Sequence, residues 1–373
     1  MSKLDELIST LCPNGVKFKT VFEVCKSLTK GTLKTTDLLD NGEYPVINAG
    51  RSYYGFYNNY NNDGEAITVS ARGEYAGFVN YFDYKFWAGG LCYPYTSKDE
   101  NYVLTKFIFY FLKNNENKIM SNLVAQGGIP ALNKGDLEKF NIPVPPIEVQ
   151  REIVRILDNF TELTAELTAE LTARKKQYEY YRDLLLTFGD EVEFVELNEV
   201  LDYEQPTKYI VKSTNYDDSY TIPVLTAGQS FVLGYTNEDF GIYKASPDSP
   251  VIIFDDFTTS FHWVDFNFKV KSSAMKMLRS KDNEIANLRF LFHLMKNINY
   301  IPVDHSRQWI GKYSKFRIPL PPLPVQQEIV RILDNFTELT AELTAELTAE
   351  LTARRKQYEY YRDKLLSFKE VKA

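Results

Sequence analysis

One long segment of this chain is written twice. Val149 through Phe188 returns as Val325 through Phe368, almost letter for letter. Each copy reads I-V-R-I-L-D-N-F-T-E-L, then a run of the tetrapeptide T-A-E-L, then R-(K/R)-K-Q-Y-E-Y-Y-R-D. The copies differ mainly in repeat number. The first holds T-A-E-L at Thr164–Leu167 and Thr168–Leu171, and the second at Thr340–Leu343, Thr344–Leu347 and Thr348–Leu351. Duplication on this scale constrains the architecture before any local reading: two similar halves, each a globular segment followed by a long helix.

Within the first copy Ile153, Ile156, Leu157, Phe160, Leu163, Leu167, Leu171, Tyr178, Tyr181 and Leu185 form one apolar stripe with glutamates beside it. A helix over this segment would reach roughly 60 Å at 1.5 Å per residue. A lone helix of that length cannot bury its own stripe, so the second copy is its natural partner and an antiparallel coiled coil is expected. T-A-E-L is not a heptad. Four residues advance ~6 Å and turn about 400°, a net drift of about 40°, and a four-residue insertion is a stutter that a coiled coil can absorb. The alternative is a solvated Ala/Glu/Leu-rich helix without special role, but regularly spaced Thr, a mediocre helix former, asks for a reason.

Residues 1–146 and 189–322 read as two mixed α/β domains, each followed by a helix segment, at 147–188 and 323–373. In the first, Tyr44–Ile47, Ala66–Val69 and Gly77–Phe82 are strand-like between turn residues, and Leu104–Leu112 reads as a buried helix. The second echoes it. Pro45-Val46 and Ala49-Gly50 match Pro223-Val224 and Ala227-Gly228. Phe107-Ile108-Phe109 matches Phe290-Leu291-Phe292, and Lys139 to Pro146 matches Lys315 to Pro322. The fold class is therefore α+β, with two similar domains separated by an antiparallel pair of long helices. Between these anchors the letters diverge, as expected when one scaffold carries two binding surfaces.

Composition narrows the function. Residues 1–147 hold 15 basic and 15 acidic side chains and residues 189–323 hold 14 and 18, so neither domain is a generally basic nucleic-acid binder and any nucleic acid must meet local patches. The three cysteines form no C-x-x-C pair and read as idle thiols. No signal-peptide core and no apolar run of ~18 residues is present, which points to the cytoplasm. Phosphate-loop and dinucleotide-loop motifs are missing. His262, His293 and His305 are dispersed without supporting cysteines, so no metal site is expected. Asp255-Asp256 ends an apolar strand-like run, where a catalytic acid, a base-reading carboxylate and a turn cap are all possible readings. Catalysis by this chain alone is not expected.

Two divergent domains bounded by P-V-x-x-A-G-x-S and I-P-x-P-P-hydrophobic motifs, each followed by a near-identical T-A-E-L helix, resemble the specificity subunit of type I restriction-modification systems. The resemblance covers essentially the whole chain, and Gln126 to Asn133 with Ile142 to Pro146 is a second family-like stretch. It implies a non-catalytic adaptor on double-stranded DNA, each domain reading half of a split, asymmetric target. The paired helices would set the spacer and dock two modification (methyltransferase) subunits, which restriction (translocase-nuclease) subunits then join. S-adenosylmethionine, ATP and magnesium would belong to those partners, with no cofactor in this chain. The unequal repeat counts depart from an end-to-end match of the two helices.

Base reading needs Arg or Lys for guanine, Asn or Gln for adenine and Asp or Glu for cytosine, held on loops by a rigid scaffold. The first domain offers Arg51, Arg72, Tyr75, Gln126, Asn133 and Lys134. The second offers Gln229, Asp256, Thr258, Thr259, Arg307, Gln308 and Lys312. Tyr53, Tyr54, Phe56 and Tyr57 read as packing rather than base stacking. Arg174, Lys175, Tyr178 and Tyr181, with Arg354, Arg355, Tyr358 and Tyr361, are expected at the partner-docking face or as charge complementing the helix ends. A coiled-coil scaffold with two peptide- or glycan-binding domains is the competing reading, and Arg, Asn and Gln on Gly-rich loops favour DNA.

Overall fold

The computed structural model describes residues 3–228 and 230–371, and the chain divides into two compact units. One comprises Met1–Ala169 with Thr348–Ala373, the other Glu170–Leu347. Each boundary falls inside a long helix. The first helix runs Ile147–Leu186 and the second Leu323–Leu365, so each unit owns the start of one helix and the end of the other.

In the first unit a four-stranded antiparallel sheet orders Cys25–Ser27, Cys92–Ser97, Ala66–Ser70 and Val79–Phe82. Ala66–Ser70 is buried along its whole length, as a run of small and β-branched residues inside a sheet covered on both faces should be. A three-stranded sheet orders Gly55–Tyr57, Tyr44–Ile47 and Trp87–Ala88, its last pair parallel. Lys17–Thr20 pairs with Asn141–Val144 and ties the start of the domain to the Pro-rich segment that precedes the helix. The helix Thr105–Asn114 buries Phe107, Ile108, Tyr110, Phe111 and Leu112.

The second unit repeats this plan. Its four-stranded sheet orders Leu201–Glu204, Met275–Ser280, Val251–Asp255 and Phe261–Val264; its three-stranded sheet orders Val232–Thr236, Ile222–Leu225 and Lys269–Val270. Phe194–Glu196 pairs with Arg317–Pro319. The helix Leu288–Asn297 is capped by the Asn287 side chain, which accepts from the backbone N–H groups of Arg289 and Phe290.

Each core is completed by both long helices. In the first unit Val149, Ile153 and Leu157 join Leu365 and Leu366 in one buried cluster. In the second, Leu186 joins Ile329 and Leu333. The contacts run antiparallel within each unit. Phe160 meets Tyr358 and Tyr361 while Leu157 shares a buried cluster with Leu365; Tyr178 meets Thr337 and Tyr181 meets Phe336 while Leu186 lies with Ile329 and Leu333. After the second helix the chain returns to the first unit, where the backbone N–H of Val16 donates to Lys369 (2.8 Å) and that of Val371 to Val16 (3.1 Å). Gly15 permits this closure: its φ is +100°, and a Cβ there would lie 2.3 Å from the Lys369 carbonyl oxygen.

Candidate nucleic-acid interface

In the first unit the strand Ala66–Ser70 runs into a tight turn carrying Arg72 and Tyr75. Gly73 and Gly77 hold it with φ of +86° and +93°, a conformation only glycine adopts freely. A short hairpin, Val124–Ala125 with Ala131–Leu132, lies beside this turn. Gly73 N donates to Pro130 O (2.9 Å) and Leu132 N to Ala71 O (2.8 Å). The Gln126–Pro130 tip thus projects next to Arg72, and Gln126 and Arg72 are both exposed. Arg51 joins them through its guanidinium, 4.8 Å above the Tyr75 ring and 5.4 Å from that of Phe78. Four candidates, Arg51, Arg72, Tyr75 and Gln126, therefore share one edge. Asn133 and Lys134 follow the hairpin at the start of a short helix, where Asn133 makes no side-chain cap and Lys134 pairs with Glu138 at 3.4 Å.

The second unit separates its candidates. Asp255, ending its strand, caps the following turn by accepting from Phe257 N (2.9 Å) and Thr258 N (2.8 Å). Asp256 points inward and is fully buried. Its carboxylate meets Lys276 Nζ at 3.1 Å, Trp309 N at 2.9 Å and Arg307 Nη1 at 3.5 Å. Gln308 is fully buried too: Tyr300 donates to its Oε1 (2.7 Å), and its Nε2 donates to the Ser306 carbonyl (2.7 Å). The expectation that Asp256 and Gln308 face bases is corrected, because their polar atoms are spent holding the 304–309 loop. Thr259 is corrected likewise; buried at φ 60°, its hydroxyl donates to Thr258 O. Thr258, Arg307 and Lys312 remain at the surface, Lys312 3.1 Å from the exposed Asp304. Gln229 lies outside the described residues.

On the helices, Tyr178 bonds Thr337 (3.1 Å), Tyr181 stacks on Phe336, and Tyr358 and Tyr361 flank Phe160. These rings contact the opposing helix of their own unit, and Tyr181 and Tyr361 keep over a third of their surface exposed. Arg174 and Arg354 pair one turn back with Glu170 (3.5 Å) and Glu350 (3.4 Å), and Lys175 and Arg355 are exposed. Projecting outward instead are Tyr180 and Tyr360, each 63% exposed, with Leu163, Leu184 and Leu339.

Two duplicated polar anchors were not anticipated. Gln150 is fully buried at the first turn of its helix; its Oε1 accepts from Leu104 N (2.9 Å) and its Nε2 donates to Tyr102 O (3.0 Å) and Pro145 O (2.7 Å). Gln326 repeats this with Asn287 N (2.8 Å), Ile285 O (2.9 Å) and Pro321 O (2.8 Å). Two turns on, Asp158 takes Lys106 (2.9 Å) and the Tyr110 hydroxyl (2.5 Å), and Asp334 takes Arg289 (2.9 Å) and His293 Nε2 (2.8 Å). Burial opposes the charge on Asp334, yet His293 and Arg289 hold its carboxyl below the ordinary value. The signal was in the sequence: V-Q and D-N-F recur at the same place in both copies.

Two units of one topology, each with divergent loops and each docked by buried amides to a shared pair of helices, define a duplicated recognition scaffold. Residues 13–174 and 189–353 match the type I restriction modification DNA specificity domain, and the chain belongs to that family. By that match it is a DNA-specificity component of a type I restriction modification system. The chain is 57% identical over 191 residues to the EcoR124I/EcoR124II specificity subunit of Escherichia coli, a match covering 49% of this chain and 46%, about half, of that protein. It is 26% identical over 361 residues to specificity subunit S.MpnORF507P of Mycoplasma pneumoniae, covering 92% and 94%. The crystal structure of the S subunit from M. genitalium superposes with a TM-score of 0.63 at 18% identity over 94% of this chain and 96% of that one, a likeness of fold. Among the described residues no helix is long and apolar enough to cross a membrane.

Proposed function

We propose that each globular domain reads one half of a bipartite, asymmetric sequence in double-stranded DNA, and that the two long helices set the spacer and dock two modification subunits. The observation that carries this reading is the pairing of one strand order with two unrelated sets of loops. A shared scaffold with divergent surface loops supports two independent specificities. Arg51, Arg72, Tyr75 and Gln126 are the base- and phosphate-contacting set of the first domain; Arg307, Thr258 and Lys312 serve the second. The outward Tyr180, Tyr360, Leu163, Leu184 and Leu339 are the docking face for the modification subunits, to which restriction subunits then add. S-adenosylmethionine, ATP and magnesium are assigned to those partners.

Exchanging residues 1–146 for the same segment of another specificity subunit tests the reading. The complex with modification subunits is expected to methylate a sequence changed in one half-site only, read from the methylation pattern of a host genome. A footprint confined to one contiguous half-site, or a swap that changes both halves, sinks it.

A further inference from the structure

The three most exposed large apolar side chains among the described residues are Val303 (91%), Ile301 (78%) and Ile129 (68%). All three fall in one place of the duplicated plan, between the domain helix and the strand that closes the domain. In the first unit that interval separates Thr105–Asn114 from Asn141–Val144, and in the second Leu288–Asn297 from Arg317–Pro319. The loops share little sequence, yet each presents an Ile-Pro step, Ile129-Pro130 and Ile301-Pro302. Proline fixes its own φ and biases the preceding residue towards extended backbone, which restricts Ile129 and Ile301.

The bases of the tips are braced. Pro130 O accepts from Gly73 N, and the hairpin beneath it pairs Ala131 with Ala125. In the second unit Tyr300 and Gln308 bond to each other on either side of the tip, and Trp309 is buried against Phe254 at a centroid distance of 5.1 Å. Cations stand near both tips: Arg72 is bridged to Ala131, two residues from Ile129, while Arg307 and Lys312 follow Val303, Lys312 3.1 Å from the exposed Asp304 and Arg307 3.5 Å from Asp256. An aliphatic side chain exposed at a loop tip braced at its base gains nothing in water. Between two base pairs it would be buried, while the cations meet flanking phosphates.

Resting on the DNA-reading function above, we propose that Ile129 in one domain and Ile301 with Val303 in the other are apolar wedges that insert at a base step of their own half-site and unstack it. Half-site selectivity then comes partly from the ease of opening that step, beyond any base contact.

The test uses the full chain assembled with its modification subunits, on duplexes carrying the sequence it protects, with 2-aminopurine replacing successive adenines. Fluorescence is expected to rise at one step in each half-site. Ile129→Ala should abolish one rise and leave the other, Ile301→Ala with Val303→Ala should do the reverse, and Ile129→Leu should keep both. Fluorescence unchanged by these substitutions overturns the wedge. So does loss of subunit assembly with the DNA signal intact, which would give these side chains to a protein contact. A gel shift on the same duplexes separates the two levels: a shift without any fluorescence rise defeats the wedge alone, and no shift at all defeats the DNA-reading function with it.

Discussion

Tyr361 lies flat on Phe160, with ring centroids 5.8 Å apart and planes 24° apart. In the other unit Tyr181 lies on Phe336 at 5.6 Å and 21° with the roles of the two helices exchanged. Offset-stacked pairs contribute about 0.5–1.5 kcal/mol beyond the area they bury. Phe160→Ala and Tyr361→Ala, alone and combined, should therefore show a coupling of about 1 kcal/mol in a double-mutant cycle by denaturant titration. Additive single effects would mean that the stack is incidental to the seam.

Gln150 sits where a helix start would ordinarily carry an apolar side chain, and it closes three backbone groups that burial would otherwise orphan. Gln150→Leu keeps the volume and removes all three bonds. Each buried group left unpaired costs about 1–3 kcal/mol, so a loss of several kcal/mol is expected, and Gln326→Leu should match it in the second unit. Urea unfolding followed by circular dichroism measures both; a near-neutral Gln150→Leu would show that water replaces the amide.

The repeat, the two-domain plan and the antiparallel helix pairing were legible because periodicity and duplication are properties of the letters themselves. The strand Ala66–Ser70 and the helix Thr105–Asn114 were legible for the same reason. The loops were not. Asp256 looks like a surface carboxylate until Lys276 and Trp309, distant in sequence, arrive to bury it, and Gln308 looks like a surface amide until Tyr300 and Ser306 take up its polar atoms. Arg72 meets the 126–130 tip through one bridge to Ala131, and a single bridge leaves no pattern in the chain. Tyr178 and Tyr181 lie on the apolar stripe read from the sequence, and the second copy meets them through Thr337 and Phe336.

Asp256 provides a decision between recognition and scaffold. If its carboxylate serves only to hold the loop, Asp256→Asn leaves the Lys276 ammonium buried without its counter-charge and should cost about 3–5 kcal/mol. Lys276→Met should cost a similar amount, and the double variant should recover part of the loss, since an uncharged pair no longer needs mutual compensation. A change of DNA sequence preference by Asp256→Asn at undiminished stability would restore the carboxylate as a base reader.

Glu152, near the start of the first long helix, is held at about 2 against an ordinary value of 4.5, first by the hydrogen bond from Arg155, against burial, and further by Lys3. Because its folded value is depressed, the stability it contributes is fully present above about 4.5 and lost as pH falls through about 2. The stability difference between wild type and Glu152→Gln should therefore shrink across that window in acid titrations monitored by circular dichroism. A difference that stays constant from neutral pH downward would mean that the pair does not hold the carboxylate charged.

The aromatic stacks also frame the unequal repeats. Phe336 and Tyr361 are four residues further apart in the second helix than Phe160 and Tyr181 in the first, and the extra T-A-E-L accounts for the difference. Adding one T-A-E-L to the first helix equalises the two intervals without touching any loop that would read DNA. If the helices set the spacer, the insertion should lengthen it and leave both half-sites unchanged. The added drift of about 40° is close to one base-pair step of ~34–36°, whereas the ~6 Å rise approaches two steps of 3.4 Å. A spacer longer by one base pair would therefore assign control to rotation, and one longer by two to translation. Methylation mapping of a host carrying the insertion reads the result directly, and an unchanged spacer would end the case for the helices as a ruler.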